Sequence, residues 1–309
     1  MAKACSASRF VRSRIASARS VAEALDANAI LDGMEPSALS DFIERHPRLF
    51  VLTGAGCSTD SGIPDYRDAD GAWKRAQPVT LQAFMSDPLT RRRYWARSLI
   101  GWQRFGRAAP NAAHRALARL EQQGHVEQLV TQNVDRLHQA AGSKSVIDLH
   151  GRMDVVRCMD CWRLQPRSEL QDELIALNPS WTQLDARTAP DGDADLDGLD
   201  FSTFEVAPCS YCAGVLKPDV VFFGESVPKE RVEAAMDHLH QADAMLVVGS
   251  SLMVYSGYRF AQVAAAAGKP IAAINLGRTR ADHLLALKIT EPCARALSAL
   301  LCSTERIEC

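Results

Sequence analysis

The chain has 309 residues, of which 47% are hydrophobic and 23% are charged. This length predicts one large domain, or a main domain with a smaller one, and excludes a peptide hormone or an isolated zinc finger. The net charge of -2 gives no basic field for nucleic acid, and no uninterrupted apolar run reaches the ~18 residues of a membrane span.

The first 22 residues contain basic side chains among alanines and serines and no acidic residue. This composition fits either a mitochondrial transit peptide or a frayed bacterial N-terminus. We treat residues 1–40 as an N-terminal extension. We expect a cytoplasmic protein if the source is bacterial and a protein of the mitochondrial matrix if it is eukaryotic.

Short apolar runs then alternate with helical patterns. The first run, 49–52, ends in a glycine turn, and similar runs cover 129–130, 146–149, 220–223, 245–248 and 271–274. Helical patterns cover 112–123, 229–241 and 258–267. This alternation predicts an α/β fold with a doubly wound, parallel, Rossmann-like sheet.

Glycines and small polar residues follow several of these strands. The free N–H groups of the turn Gly54-Ala55-Gly56 could hold a diphosphate at the start of a helix, or the turn could be only a tight corner. Asn133 and Asp135 follow the second strand and could face the same crevice or cap a helix. His150 follows the third and is placed to act as a general base, whereas the other seven histidines are expected on the surface or in packing.

Nine cysteines, an odd number, fit poorly with a closed disulfide framework. Four of them form two pairs, Cys158-x-x-Cys161 and Cys209-x-x-Cys212. Four thiolates would complete a tetrahedral Zn²⁺ shell, while redox dithiols or an iron–sulfur cluster are the alternatives. We therefore expect a small zinc-binding module inserted at 152–217, with the acidic stretch 191–200 as a solvated loop and the other cysteines as free thiols in a reducing compartment.

Several ordered motifs together resemble the sirtuin family. They are Gly54-Ala-Gly-Cys-Ser58, Gly62-Ile-Pro-Asp-Tyr-Arg67, Thr131-Gln-Asn-Val-Asp135, His150-Gly151, the four paired cysteines, Lys217-Pro-Asp-Val-Val-Phe-Phe-Gly-Glu225, Val247-Val-Gly-Ser-Ser-Leu252 and Ile274-Asn-Leu-Gly277. Other stretches, such as Arg93-Tyr-Trp-Ala-Arg97 and Val254-Tyr-Ser-Gly-Tyr-Arg-Phe260, resemble the class II branch, which includes mitochondrial sirtuin four. The resemblance runs from about residue 40 to the C-terminus.

The resemblance implies an enzyme that uses NAD to remove acetyl or other acyl groups from protein lysines, releasing nicotinamide and O-acyl-ADP-ribose. Its NAD-binding domain would comprise 41–151 and 218–309, and its structural zinc ion would be held by Cys158, Cys161, Cys209 and Cys212. The catalytic residues would be His150, Asn133 and Asp135. The NAD contacts would be Gly54, Ala55, Gly56, Ser58, Thr59, Asp65, Tyr66, Arg67, Gln132, Asn133, Asp135, Gly249, Ser250, Ser251, Asn275, Leu276, Gly277 and Cys293.

The expected partners are NAD and an acylated-lysine protein, with no membrane or direct nucleic acid, and the chain is expected to be monomeric. The peptide would add as a strand to the edge formed by Val221, Phe222, Phe223, Gly224 and Glu225, although that run could equally be a plain buried strand. Tyr94 and Arg97 could read an acidic acyl chain, or their helix could simply meet water. A mono-ADP-ribosyltransferase and a non-catalytic NAD or ADP-ribose sensor are the alternative functions.

Overall fold

The structure, a computed structural model, describes residues 38–74, 78–184, 196 and 198–303. Residues 1–37 of the predicted extension and 191–195 and 197 of the predicted acidic loop lie outside the described residues. Among the described residues, no helix combines the length and apolar character that a membrane span requires.

The strands and helices are numbered in chain order. The strands are β1 Leu49–Thr53, β2 Val126–Thr131, β3 Val146–Asp148, β4 Gly151–Cys158, β5 Leu164–Pro166, β6 Leu216–Val220, β7 Ala244–Val248, β8 Ile271–Ile274 and β9 Leu287–Ile289. The helices are α1 Ala38–Arg45, α2 Leu81–Ser86, α3 Pro88–Phe105, α4 Ala112–Gln122, α5 Leu137–Ala140, α6 Arg167–Leu177, α7 Lys229–Gln241, α8 Tyr255–Ala266 and α9 Cys293–Ser303.

Six strands form one parallel sheet in the order β3-β2-β1-β7-β8-β9. Strands β1 and β7 are buried along their whole length, which explains why their sequences are apolar without alternation. The predicted doubly wound α/β fold is confirmed. The connection order reverses between β1 and β7, and in such sheets a crevice opens there at the carboxyl ends of the strands.

The prediction of a strand over 220–223 in this parallel sheet is wrong. Only Val220 of that run lies in a strand, β6, which ends there and pairs antiparallel with β4 in a second sheet of order β5-β4-β6. Beyond it the Phe222 amide donates to the Glu225 carboxylate, which turns the backbone away from the ladder. The boundary that we placed at 217/218 therefore falls inside β6.

Helix α8 begins three residues before the predicted position 258. Val254 is its extended N-cap residue, and Ser256 and Gly257 weaken the helical pattern because both have low helix propensity. The sequence pattern also missed the short edge strand β9. These differences matter because the start of α8 faces the crevice.

Candidate active site

A cleft of about 1130 Å³ lies along the carboxyl ends of the parallel strands. This volume exceeds the 300–1,000 Å³ or so of a pocket for one drug-sized ligand. All the predicted NAD contacts, His150 and the segment from Val221 to Glu225 line it. Of the two residues predicted to read the acyl chain, the described residues that line the cleft include Tyr94 but not Arg97.

The glycine turn after β1 packs directly on the end of β7. The Gly54 amide donates to the Val248 carbonyl (3.0 Å) and the Gly56 amide to the Gly249 carbonyl (2.8 Å). A Cβ on Gly249, where φ is +63°, would lie 2.2 Å from the Cys57 nitrogen. Two of the amides that we expected to be free for a diphosphate therefore bind protein carbonyls, and the turn is followed by short 3₁₀ segments rather than an α-helix. Glycines are needed here because the backbone of the turn and the backbone at Gly249 approach too closely to leave room for side chains.

Ser58 is fully buried, and its hydroxyl connects the loop after β1 to the residues that follow β2. Its hydroxyl donates to Asp135 Oδ2 (2.7 Å) and accepts from Asn133 Nδ2 (3.0 Å). The same Asn133 amide donates to the Gly54 carbonyl (3.0 Å), and the Leu137 amide donates to Asp135 Oδ1 (2.9 Å). Asp135 thus accepts a bond from the first residue of α5 and also lines the cleft, although the N-cap residue of α5 is Arg136. Burial raises the pKa of Asp135.

The first turn of α4 packs against the loop after β1 and contacts Cys57 and Ser58. Asn111 and His114 form a capping box, in which the Asn111 amide donates to His114 Nδ1 (3.2 Å). Asn111 Nδ2 donates to the Cys57 carbonyl (2.8 Å), and His114 Nε2 lies 3.4 Å from the Ser58 hydroxyl. Burial lowers the pKa of His114 to about 4. The ring is therefore neutral at pH 7, with its proton on Nε2.

Cys57, His114 and His138 bring three ligand-type atoms within 4.8 Å of one another. Because His114 Nδ1 accepts the backbone hydrogen bond, its Nε2 carries the proton and has no lone pair for a metal. His138 Nε2 already contacts the Thr53 hydroxyl at 2.9 Å. This cluster suits hydrogen bonding and packing rather than metal binding, as expected for histidines other than His150.

His150 is held at both ring nitrogens. Nδ1 lies 3.0 Å from the Gln132 carbonyl and Nε2 lies 2.8 Å from the Ser256 hydroxyl. A carbonyl can only accept, so Nδ1 carries the proton and Nε2 carries the basic lone pair. Burial lowers the pKa of His150 to about 4, and the charges of Arg231 and Arg259 act in the same direction. The imidazole is therefore an unprotonated base at neutral pH.

The loop that carries Asp65, Tyr66 and Arg67 forms one wall of the cleft. The Arg67 guanidinium lies 3.9 Å from the centroid of the Trp73 ring, and Asp65 forms an ion pair with Lys74. Trp73 in turn meets Phe223 across the cleft, with ring centroids 5.5 Å apart. These contacts bring the loop over the cleft, where it can limit the access of water.

An ion pair between the buried Lys217 and the half-buried Glu225 fixes the opposite wall. Glu225 Oε2 accepts from Lys217 Nζ (3.1 Å) and from the Phe222 amide (2.9 Å), and the Val221 amide donates to the His150 carbonyl (2.8 Å). Burial lowers the pKa of Lys217, with Glu225 opposing that shift. The segment from Val221 to Glu225 is thus a shaped loop tied to His150 rather than a strand.

Members of one apolar cluster also line the cleft, among them the residue between Asn133 and Asp135, and we call this part of the lining the apolar arm. It comprises Ile63, Phe105, Val134, Met153 and Val220. Tyr94, which also lines the cleft, is buried between Phe84 and Phe222, with both ring centroids 5.3 Å from its own.

The four paired cysteines converge beside the second sheet, with Cys158 at the end of β4 and the other three in loops. Cys158 and Cys212 have their sulfurs 3.5 Å apart, Cys161 and Cys209 have theirs 3.8 Å apart, and all four lie within 4.8 Å of one another. Tetrahedral sulfur ligands about 2.3 Å from zinc lie about 3.8 Å from each other. The set therefore fits one structural zinc ion with no open coordination position.

Two residues in contact with the predicted site were given no function from the sequence. Lys217 and Ser256 both lie within quoted motifs, but their types alone do not indicate a site. The pattern could have revealed Lys217, since it closely precedes the apolar run 220–223 and a lysine that is buried there needs a partner. Ser256 carries no such pattern, because its importance depends on a contact with a residue 106 positions away.

Comparison with known proteins gives consistent matches. A sequence model described as the Sir2 family matches residues 54–256. An "NAD-dependent protein deacetylase" of Xanthomonas axonopodis pv. citri (strain 306) is 69% identical over 262 residues, which cover 85% of this chain and 89% of that protein. An "NAD-dependent protein deacetylase 2" of Bradyrhizobium diazoefficiens is 67% identical over 264 residues, covering 85% of this chain and 97% of its own length. The solved structure "Sir2-p53 peptide-NAD+" has a TM-score of 0.69 and 29% identity, covering 88% of this chain and all of that one.

Proposed function

The chain belongs to the Sir2 family, and we infer that it uses NAD to remove acetyl groups from lysines of proteins. It is an NAD-dependent protein deacetylase with one structural zinc ion. The observation that carries this conclusion is the neutral His150 base, whose lone pair lies on the Nε2 atom at the cleft. The class II assignment within the family stays a prediction.

The cleft residues suit the steps that such a reaction requires. Bound NAD would supply the ribose carbon that takes the acyl oxygen. His150 Nε2 would accept the proton of a ribose hydroxyl, since the ring is unprotonated at neutral pH. Asn133 and Asp135 would orient the reacting groups, because Ser58 fixes both side chains. The loop of Tyr66 and Arg67 would exclude water, which strengthens these polar interactions.

The test is nicotinamide release from NAD in the presence of an acetyl-lysine peptide. We expect His150→Ala to lower the rate at least about 100-fold, because general bases contribute about 10²–10⁴. The matched control is His240→Ala, since His240 is exposed on α7, and it should keep the wild-type rate. Full activity of His150→Ala would contradict the assignment. Stable ADP-ribose on a protein without an acyl substrate would favour a transferase, and NAD binding without turnover would favour a sensor.

The apolar arm favours a preference for acetyl groups and longer unbranched apolar acyl groups over acidic acyl groups as substrates. A carboxylate packed against this apolar cluster would find no cation among Ile63, Phe105, Val134, Met153 and Val220, and an unpaired buried charge is costly. We therefore expect acetyl- and butyryl-lysine peptides to react faster than a glutaryl-lysine peptide of the same sequence. Faster removal of glutaryl groups would contradict this proposal.

The remaining properties rest on the sequence. The product O-acyl-ADP-ribose, a monomeric state and a cytoplasmic location in a bacterial cell stay predictions. Mass spectrometry of the reaction mixture would test the product, and light scattering of the purified chain would test the monomer.

A further inference from the structure

The basic atom of His150 already has a hydroxyl partner in the protein. The Gln132 carbonyl takes the Nδ1 proton, so the contact of 2.8 Å at Nε2 is a bond in which Ser256 donates to the lone pair. Together the two bonds fix both the tautomer and the rotation of the ring. A ribose hydroxyl that gives its proton to Nε2 must approach the same lone pair.

Ser256 is placed for this contact by the start of α8. It lies in the first helical turn and is 8% exposed, while the cap position is Val254, which makes no side-chain cap bond. The neighbouring Gly257 packs so closely that a Cβ there would lie 2.6 Å from Gln132 Nε2. Ser250 donates to Gln132 Oε1 at 2.6 Å. The helix start, Gln132 and His150 therefore form one packed unit.

We propose that Ser256 is a positioning residue that holds the His150 imidazole with its Nε2 lone pair at the cleft until a substrate hydroxyl takes over that hydrogen bond. The inference rests on the proposed function. The exchange replaces one O–H···N bond by another. Because the lone pair accepts one hydroxyl at a time, it requires a change of the Ser256 side-chain rotamer that moves Oγ away from Nε2.

If Ser256 had only a structural role, Ser256→Ala would lower the stability of the fold and not specifically the rate. Since Ser256 does not cap α8 and alanine has the higher helix propensity, Ser256→Ala should fold normally. The loss should then appear in kcat, because without Ser256 the ring is held at one nitrogen only and has to be oriented again before Nε2 can take the substrate proton.

The test compares Ser256→Ala, Ser256→Thr and the control Ser298→Ala with the wild type. Ser298 is also a helical serine, donates to the Ala294 carbonyl within α9 and lies outside the residues that line the cleft. We expect Ser256→Ala to lower kcat about threefold to tenfold, the range for one hydrogen bond, with little change in the KM for NAD. Ser256→Thr, which keeps the hydroxyl, should recover most of the rate, and Ser298→Ala should match the wild type.

A second measurement does not depend on turnover or on the fit of the threonine. In nitrogen-15 spectra of the ligand-free protein, the His150 Nε2 resonance should move in Ser256→Ala toward the value of a nitrogen without a donor, while the Nδ1 proton is kept. An unchanged kcat together with an unchanged resonance would overturn the proposal, as would a lower kcat with an unchanged resonance. If the wild type itself released no nicotinamide, the proposed function would fail, while the resonance would still test the contact.

Discussion

Mild acid should destabilise this protein through the buried side chain of His114. Its pKa is lowered by burial to about 4 from an ordinary value of 6.5. Between these values the unfolded chain binds a proton that the folded chain does not, so stability is lost as the pH falls below 6.5. At about 1.4 kcal/mol per pH unit, acidification from pH 7 to pH 5 removes about 2 kcal/mol of unfolding free energy through this one group.

The pKa values of other buried groups are shifted as well, and their effects on stability have to be separated from that of His114. Burial lowers the pKa values of His138 and His150, which act in the same direction, whereas burial raises those of Asp135 and Asp148, which act in the opposite direction. The informative quantity is therefore the difference between the wild type and a variant without the His114 titration.

His114→Gln provides that variant. Glutamine at the third position of a helix can keep the capping box with Asn111 but does not titrate. We expect urea unfolding at pH 7, 6 and 5 to show a pH-dependent loss about 2 kcal/mol smaller in His114→Gln than in the wild type. His283→Gln, at an exposed position, should follow the wild type. Parallel losses in His114→Gln and wild type would refute the reasoning that burial keeps this ring neutral.

Three further predictions concern Gly249 beside the glycine turn, the zinc ligands, and the ion pair between Lys217 and Glu225. In urea unfolding, Gly249→Ala should lose clearly more stability than Gly268→Ala. Both glycines have a positive φ, but a Cβ at Gly249 would lie 2.2 Å from a backbone atom, whereas a Cβ at Gly268 would meet nothing within 4 Å. Equal losses of stability would exclude the close contact. Metal analysis should give one zinc per chain in the wild type and none in Cys158→Ser, and iron in place of zinc would overturn the assignment. Lys217→Met should raise the KM for an acetyl-lysine peptide about tenfold or more, because it leaves the Glu225 carboxylate without its cation. Adding Glu225→Gln to this variant should recover part of the loss. If the effects of the two substitutions were additive instead, the pair would not act as a unit.

The sequence alone determined the sheet, the zinc ligands and the location of the cleft. The buried strands β1, β7 and β8 are recognisable because strands covered on both faces are continuously apolar. The motifs after them could be assigned to one crevice because the carboxyl ends of parallel strands meet at one edge. The cysteine pairs were equally recognisable, since the spacing within each pair brings two sulfurs to one point.

Tertiary structure alone decided how the site is connected. The apolar run 220–223 resembles a strand of the parallel sheet in sequence, yet only Val220 lies in a strand, β6, and that strand pairs with β4. Strand pairing depends on the partner that the fold presents, which local sequence does not show. Likewise, nothing in the types of Ser58 and Ser256 shows that one joins Asn133 to Asp135 and the other holds His150. These contacts join residues 75 to 106 positions apart, and hydrogen bonds at such separations form only when packing brings the side chains within about 3 Å.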